Sequence, residues 1–295
     1  MHKAHTSIPG TLFLVATPIG NLQDITLRAL DILKSVDYIA AEDTRKSNIL
    51  LQHFGINKPL LSLHAHNEIS RSHQLLEKLE QGAKIALISD AGTPLISDPG
   101  LPLVQQAREK GIAVTPIPGA CALIAALSAS GFSCNHFFFF GFLPAQSQAR
   151  RKILTSFQST PYTTIFYEAP HRILDLFEDM QSIFEEERIV GFAKEISKRF
   201  EFFFSGTFKE ALAWLTLEPE HQKGEFVVML TGKPTNTSET TEEISINIPL
   251  ESLLKKLLSS LSLKQAVTLA TDISGEKKNT VYALALKLGA SRRDE

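Results

Sequence analysis

The chain has 295 residues, of which 43% are hydrophobic and 21% are charged, and its formal net charge is −2. This length suits about two domains of ordinary globular composition, and the charge excludes a protein that binds nucleic acid through overall positive charge. The spacing of the two cysteines, Cys121 and Cys134, matches neither a zinc ribbon nor a redox pair, and their small number indicates a reducing compartment in which both are packing residues. Residues 1–10 lack an apolar signal core, and no stretch approaches the ~20 apolar residues of a membrane helix, so a cytoplasmic protein is expected.

Short apolar runs alternate with amphipathic segments over residues 10–130, the first predicted domain. Strands are predicted at residues 12–16, 38–41, 60–63, 85–89 and 114–117. Helices are predicted between them, at about 24–36, 44–54, 70–81 and 101–110. This alternation predicts an α/β domain with a largely parallel sheet.

A second α/β block is predicted over residues 131–233. Its predicted strands are residues 137–140, 163–167, 189–193, 202–204 and 226–230, and its predicted helices are 171–184 and 208–217. The continuous phenylalanine runs are interpreted as buried strands, because a base-stacking surface would expose only alternate residues. A Thr, Ser, Asn, Pro and Glu composition over residues 231–243 indicates a linker, and leucine stripes over 245–290 predict a small appendage of three helices.

Turns rich in proline and glycine directly follow three predicted strands of the first domain, at residues 17–21, 90–100 and 118–122. The common nucleotide fingerprints G-x-G-x-x-G and G-x-x-x-x-G-K-[ST] are absent. Ligands of open α/β sheets bind at the carboxyl ends of strands, and small residues let a ligand approach backbone amides closely. Each turn alone is typical of an ordinary connection, but together the three turns predict one ligand site.

Six strings in this order carry a family resemblance: VATPIGNLQDITLRAL (15–30), AAEDTR (40–45), SDAGTPLISDPG (89–100), PIPGACALIAALSASG (116–131), GFLP (141–144) and FYEAPHR (166–172). They resemble the small-subunit ribosomal RNA 2′-O-methyltransferase I family of the tetrapyrrole-methylase superfamily. The resemblance extends over residues 10–230 and resumes over 261–288, with Cys121 and Ala169 as mild departures from the expected pattern.

The resemblance implies two α/β domains of the tetrapyrrole-methylase type, with S-adenosylmethionine bound in the cleft between them. It also implies methyl transfer to the ribose 2′-hydroxyl of a cytidine in the decoding region of 16S ribosomal RNA within the small subunit, by a homodimer. The alternative is a tetrapyrrole (precorrin-type) methyltransferase on the same fold, which would not need basic residues at the cleft or C-terminal helices. A non-catalytic RNA-binding or cofactor-binding protein is a third hypothesis.

The cofactor contacts implied by the resemblance come from loops of both domains. Asp90 is the leading candidate, because a carboxylate there can bond a ribose hydroxyl or the ammonium group of the cofactor; a helix or turn cap is its structural alternative. Asp98 is interpreted as a cap for the helix that follows it. The predicted cofactor-binding residues are Pro18, Gly20, Asp90, Ala91, Gly92, Thr93, Ile96, Ser97, Pro118, Cys121, Ala122, Tyr167, Ala193 and Gly224.

A ribose hydroxyl is weakly acidic, so a positioned base would speed the transfer. Four charged residues at predicted strand ends are unranked candidates for the catalytic role: Glu42, Asp43, Lys194 and Glu195. The structural alternative for Glu42 and Asp43 is a charged helix N-terminus, where acids suit the helix dipole. No metal is expected, because a loop with His64, His66 and Glu68 is better interpreted as a polar loop.

Basic and polar residues near the same strand ends are candidates for contacts with RNA phosphates. The predicted RNA-binding residues are Asn21, Arg28, Arg45, His171, Arg172, Lys198 and Arg199. Arg150, Arg151 and Lys152 are expected to extend this basic lining.

Overall fold

The computed structural model describes residues 10–233 and 250–290. The chain divides into two compact units, Met1–Thr235 and Asn236–Glu295, and each has a hydrophobic core of its own. Most of the predicted linker and residues 245–249 of the predicted appendage lie outside the described ranges. Within those ranges, no helix is both long and apolar enough to cross a bilayer.

The first sheet has five parallel strands in the order β3-β2-β4-β1-β5. The strands are β1 (Thr11–Val15), β2 (Tyr38–Ala41), β3 (Leu60–Ser62), β4 (Lys84–Ile88) and β5 (Ala113–Ile117). The helices that follow them in the chain are α1 (Leu27–Ser35), α2 (Thr44–His53), α3 (Glu68–Glu80), α4 (Leu101–Glu109) and α5 (Ala122–Ser130). The predicted alternation and the parallel sheet are confirmed.

Both faces of this sheet are buried, because alternate strand residues point to opposite sides and helices cover each side. Ala40 and Leu87 pack in the cluster that contains α3 and α4 side chains. Ile39 and Ile88 pack in the cluster that contains α1 and α2 side chains. The neighbouring strands β1 and β4 therefore lead to helices on opposite faces, which opens a crevice at their carboxyl ends.

The second sheet is mixed, with the order β6-β7-β10-β8-β9. Its strands are β6 (Phe137–Phe142), β7 (Thr163–Glu168), β8 (Val190–Lys194), β9 (Phe202–Gly206) and β10 (Phe226–Leu230). Strands β6 and β7 are parallel, whereas β10 pairs antiparallel with both β7 and β8, and β8 pairs antiparallel with β9. Helices α6 (Ser147–Ser156), α7 (Ile173–Gln181) and α8 (Phe208–Leu217) accompany this sheet.

Three details of this second sheet differ from the sequence prediction. The sequence pattern does not predict helix α6, because this mostly polar helix buries only Arg150 and Leu154. The phenylalanine run of β6 is a strand, but Phe137 and Phe138 are 39% and 46% exposed because β6 lies at the sheet edge. Helix α5 follows β5 in the chain, yet its buried side packs against β8, β9 and β10.

The second unit is a small helical bundle, as the leucine stripes predict. Its helices are α9 (Leu250–Leu257), α10 (Leu263–Ser274) and α11 (Lys278–Ala290). Leu254, Val267 and Val281 form its core together with Ala270 and Ala285. A capping box at Ser262 begins α10, and Gly275 ends it in a left-handed conformation.

Candidate functional site

A cavity of about 380 Å³, called here the first cavity, lies between loops that follow strands of both sheets. From the predicted cofactor-binding set, the residues that line it are Asp90, Ala91, Gly92, Thr93, Ile96, Ser97, Cys121, Ala122 and Tyr167. Its other walls include Ile19, Asp98, Phe142 and Phe226. The structure thus brings together residues from distant parts of the sequence that were predicted to share one ligand.

The remaining members of that set lie elsewhere. Pro18 and Gly20 line a neighbouring cavity, called the second cavity. Ala193 is fully buried in the core beneath α5, and Pro118 is exposed beyond the end of β5. Gly224 has φ +91° and packs on the Glu195 side chain, so a larger residue there would displace Glu195. Ala193, Pro118 and Gly224 line neither cavity.

Hydrogen bonds connect the turns after β1, β4 and β5. Thr17 and Gly92 exchange two backbone hydrogen bonds, with N···O distances of 2.9 and 3.0 Å. The Thr93 hydroxyl donates to the Ala120 carbonyl at 3.1 Å, which ties in the turn after β5. The three proline- and glycine-rich turns therefore form one continuous wall, as expected from their positions at strand ends.

The loop after β4 holds residues in conformations that are unfavourable for L-amino acids. Leu95 and Ser97 have φ values of 74° and 70°, and Gly92 and Gly100 also have positive φ. Each non-glycine residue in this region costs about 1 kcal/mol, and such strain is concentrated at functional sites. The surrounding hydrogen bonds and the packing of Leu95 hold the loop in this shape.

Asp90 joins the ends of two neighbouring strands. Its Oδ1 accepts a hydrogen bond from the Asp43 backbone N–H at 3.0 Å, and its Oδ2 accepts one from Lys46 Nζ at 2.8 Å. The side chain is 23% exposed and lines both cavities. Asp90 is therefore a tertiary link between the loop after β4 and the start of α2, and it faces the space where a ligand would lie.

Asp98 does not cap the helix that follows it, contrary to the sequence interpretation. Pro99 and Gly100 separate it from α4, and the Gly100 N–H donates instead to Glu68 Oε1 at 2.5 Å. Asp98 lines the first cavity, where burial first, and then the nearby Glu42 carboxyl, raise the pKa of Asp98 to about 6. The position of Asp98 within the predicted ligand loop was a sequence signal for a ligand contact, but Asp98 was interpreted as a helix cap instead.

The candidate acids after β2 occupy different environments. Asp43 caps α2: its Oδ1 accepts from the Arg45 N–H at 2.9 Å, and its Oδ2 accepts from the Arg45 guanidinium at 3.1 Å. Hydrogen bonds from Arg45 lower the pKa of Asp43 to about 2. Burial, followed by the neighbouring charge of Asp90, raises the pKa of Glu42. Asp43 therefore caps the N-terminus of α2, which was the structural alternative to a catalytic role for Glu42 and Asp43. The ionised form of Glu42 is destabilised.

The other two catalytic candidates are engaged in internal contacts. Lys194 is only 8% exposed and its Nζ donates to the Glu220 carbonyl at 2.8 Å. Glu195 Oε1 accepts from Lys198 Nζ at 2.8 Å and from the Glu225 N–H at 2.9 Å. Burial opposes ionisation of Glu195, but these two hydrogen bonds outweigh it and lower its pKa. Both side chains stabilise the loop after β8.

The predicted RNA-binding residues separate into exposed and internal groups. Arg28, His171 and Arg199 are exposed, and Arg45 has 89% of its side chain exposed. Asn21 is also exposed, and its side chain accepts from Gln23 N–H in the short 3-10 turn that follows. These residues are available to a large partner.

Arg172 and Lys198, by contrast, are held by carboxylates of the protein itself. Arg172 is 3.1 Å from the buried Glu168 and donates to the Leu143 carbonyl at 2.6 Å. Lys198 lies between Glu195 and Glu225, at 2.8 Å from each.

Arg150 does not contribute to a basic lining, contrary to the sequence expectation. It is 2% exposed and pairs with Asp179 at 2.7 Å, because the inner face of α6 packs against α7. Arg151, one position further along α6, is 49% exposed.

Comparison with known proteins identifies the family. Residues 11–212 match the family model of Tetrapyrrole (Corrin/Porphyrin) Methylases, and residues 248–289 match that of the RsmI C-terminal HTH domain. The Haemophilus influenzae protein named Ribosomal RNA small subunit methyltransferase I is 50% identical over 95% of this chain and 98% of its own length. The Escherichia coli O157:H7 protein of that name is 46% identical over 97% of this chain and 98% of its own length.

The chain belongs to the ribosomal RNA small subunit methyltransferase I family. The resemblance carried by the six strings is thereby confirmed. The two family models cover residues 11–212 and 248–289, and the resemblance was found over residues 10–230 and 261–288.

Solved structures show that the fold of this family is shared more widely. Diphthine synthase has a TM-score of 0.60 and 15% identity, covering 75% of this chain and 90% of its own. The methyltransferase CobJ has a TM-score of 0.57 and 17% identity, covering 78% of this chain and 97% of its own. At these identities the likeness shows a shared fold, and the family model over residues 11–212 identifies it as the tetrapyrrole-methylase fold, with one parallel and one mixed sheet.

Proposed function

We propose that the chain is an S-adenosylmethionine-dependent methyltransferase that modifies the ribose 2′-hydroxyl of a cytidine in the decoding region of 16S ribosomal RNA. The observation that carries this proposal is the 50% identity over 95% of the chain to a protein named for methylation of small-subunit ribosomal RNA. A tetrapyrrole substrate is disfavoured for two reasons. The similarity to proteins named Ribosomal RNA small subunit methyltransferase I extends over nearly the whole chain, and residues 248–289 match the C-terminal domain model of that family.

The first cavity has the chemistry that S-adenosylmethionine requires. This donor carries positive charge on its sulfonium and ammonium groups, and an adenine ring that favours apolar surroundings. Asp90 and Asp98 supply carboxylates, and Ile96 and Phe226 supply apolar walls. A Cβ on Gly92 would lie 3.3 Å from Ile19, so the glycine keeps this wall open to a ligand. When bound, the donor supplies a methyl group on a positively charged sulfur.

Glu42 is the proposed proton acceptor among the four catalytic candidates. Transfer to the ribose oxygen requires that its hydroxyl proton leave, and a base is most effective when its pKa approaches the working pH. The pKa of Glu42 is raised, whereas Asp43, Lys194 and Glu195 are occupied by hydrogen bonds inside the protein. Asp98 faces the first cavity, and its proposed role is to contact the positive charge of the donor.

The proposed enzyme acts in the cytoplasm as a homodimer on the small ribosomal subunit. Its proposed domains are residues 10–130, residues 131–233 and the helical residues 245–290, with α5 packed on the second sheet. The exposed residues Asn21, Arg28, Arg45, His171 and Arg199 are proposed to contact RNA, and Arg172 and Lys198 to hold the loops that present them.

A single-turnover assay tests the proposal. The purified chain is mixed with methyl-labelled S-adenosylmethionine and small subunits that lack the modification, and the labelled nucleotide is mapped. Label is expected on the ribose of one cytidine. Glu42→Gln is expected to slow the transfer about 10²–10⁴-fold with unchanged donor affinity. Label on a tetrapyrrole but not on RNA would contradict the proposal.

A further inference from the structure

The second cavity adjoins the first cavity and has a volume of about 400 Å³. Its walls come from the turn after β1, which includes Pro18 and Gly20, and from α2, which contributes Lys46, Ile49 and His53. Binding cavities for small molecules are typically about 300–1,000 Å³, so the second cavity is large enough for a separate ligand of nucleotide size.

The two cavities differ in their charged residues: those of the first cavity are all carboxylates, whereas the second cavity has both carboxylates and basic groups. Among the described residues, the first cavity is lined by Asp90, Asp98, Glu168 and Glu225, with no Lys, Arg or His. The second cavity contains Lys46, Lys198 and His53 in addition to Asp90 and Glu225. An acidic lining suits a cationic methyl donor. In the second cavity Lys198 is held by Glu195 and Glu225, whereas the Lys46 side chain is largely exposed, and its ammonium group suits a ligand that carries phosphate.

Two apolar side chains that line the second cavity are exposed to solvent. Ile49 on α2 is 71% exposed, and Leu22 is 40% exposed. An unstacked nucleotide could place its base on the exposed apolar groups and its phosphate beside the neighbouring cations. Lys46 pairs with Asp90 at 2.8 Å, yet 68% of its side chain is exposed, which leaves ammonium hydrogens for a second acceptor.

The cavities share one wall, formed by Ile19, Asp90, Ala91 and Glu225. Methyl transfer requires the reacting atoms to approach within about 3–3.5 Å. A donor in the first cavity and an acceptor in the second cavity would meet at this shared wall. Asp90 lies there, and the Asp43 amide and Lys46 hold it in place.

We propose that the second cavity receives the target nucleotide, turned out of the RNA, with its base against Ile49 and Leu22 and its phosphate near Lys46. This inference rests on the proposed function and assigns the acceptor a place separate from the donor. The sequence pattern does not distinguish these four residues: Leu22 lies in the turn after β1, and Lys46, Ile49 and His53 lie on α2, which reads as an ordinary amphipathic helix.

Ile49→Trp tests the assignment by filling the second cavity from an exposed position. Ile69→Trp is the matched control, since Ile69 is 69% exposed on α3 and lines neither cavity. Ile49→Trp is expected to lower the single-turnover rate on unmodified small subunits at least 100-fold, while the donor Kd measured by calorimetry stays within twofold. Ile69→Trp is expected to match the wild type in both measurements.

A second measurement does not depend on methyl transfer. Cytidine 5′-monophosphate is titrated into donor-saturated protein and followed by NMR, and Ile49→Trp and Lys46→Met are each expected to weaken its binding at least fivefold. Equal nucleotide binding in wild type and variants, or loss of donor binding in Ile49→Trp, overturns the assignment. Wild-type protein that binds donor and nucleotide but does not label small subunits contradicts the proposed function alone.

Discussion

At the scale of single residues, two carboxyl groups of the same loop have opposite electrostatic environments. Asp90 accepts hydrogen bonds from Lys46 and from the Asp43 N–H, which compensate its charge. Asp98 is partly buried near Glu42 and Asp90, and the hydrogen bond from Ser89 offsets only part of that cost. Burial and the neighbouring carboxyl groups therefore make ionisation of Asp98 unfavourable, whereas the charge of Asp90 is balanced within the protein.

The raised pKa of Asp98, about 6 against an ordinary 3.8, makes stability depend on pH. The protonated form is favoured in the folded state, so this contribution to stability is complete below about pH 4 and is lost as pH rises towards 6. Asp98→Asn is expected to raise the free energy of unfolding by about 1–2 kcal/mol at pH 7, after allowance for partial exposure, and by little at pH 4. Urea denaturation at the two pH values measures the difference.

The control for this prediction is Asp31→Asn, on the exposed face of α1, which is expected to leave stability unchanged at both pH values. Donor binding provides a second readout of the same group. The donor affinity of the wild type is expected to rise between pH 5 and 7 as Asp98 ionises, and this rise is expected to disappear in Asp98→Asn. A pH-independent affinity in the wild type would show that Asp98 does not face the donor's charge.

At the scale of secondary-structure elements, the site depends on how the turns after β1, β4 and β5 are joined. Gly92 is the central connection, because its backbone pairs with Thr17 while its φ of +86° turns the chain back along the first cavity. This conformation is readily adopted by glycine and is strained for other residues. The same residue thus determines both the local loop shape and the distance to Ile19.

Gly92→Ala is compared with Gly55→Ala to separate backbone strain from effects on the site. Both glycines have positive φ, but a Cβ on Gly55 meets no atom within 4 Å, whereas one on Gly92 meets Ile19 at 3.3 Å. Each variant is expected to lose about 1 kcal/mol of unfolding free energy. Only Gly92→Ala is expected to weaken donor binding, by at least tenfold in calorimetry. Equal donor affinities in the two variants would show that the loop after β4 does not contact the donor.

At the scale of the whole molecule, the core of the first unit and that of the C-terminal unit are built from separate sets of residues. The first unit contains both sheets, and the core around its second sheet is rich in aromatic contacts, such as those of Phe166 with Phe157 and of Phe192 with Phe204. The C-terminal unit has an aliphatic core, which its own three helices form around Leu254. Each unit therefore has the apolar packing that independent folding requires.

A chain that ends at Lys233 is expected to remain folded and to bind the donor with unchanged affinity, since the first cavity is lined entirely by residues of the first unit. Its affinity for small subunits is expected to fall at least tenfold, because exposed Lys264, Lys277 and Lys278 of the C-terminal unit are removed. Calorimetry and filter binding at two salt concentrations measure these effects. Full retention of subunit binding at both concentrations would exclude an RNA role for the helical unit.

The α/β alternation, the parallel first sheet and the three glycine-rich turns could all be predicted from the sequence, because they depend on local periodicity and on backbone requirements that adjacent residues reveal. The six strings also pointed to the family. Which charged side chains are free could be read only from the folded chain. Asp43, Arg150 and Glu195 look equivalent to other surface charges in sequence, but hydrogen bonds and ion pairs within the protein occupy them.

The second cavity and the environment of Asp98 likewise depend on elements that are far apart in the chain. Asp98 acquires its raised pKa from burial and from Glu42, and α2 becomes a cavity wall only when it lies beside the turn after β1. Desolvation and charge proximity are properties of three-dimensional neighbours, which periodicity along a single chain does not specify.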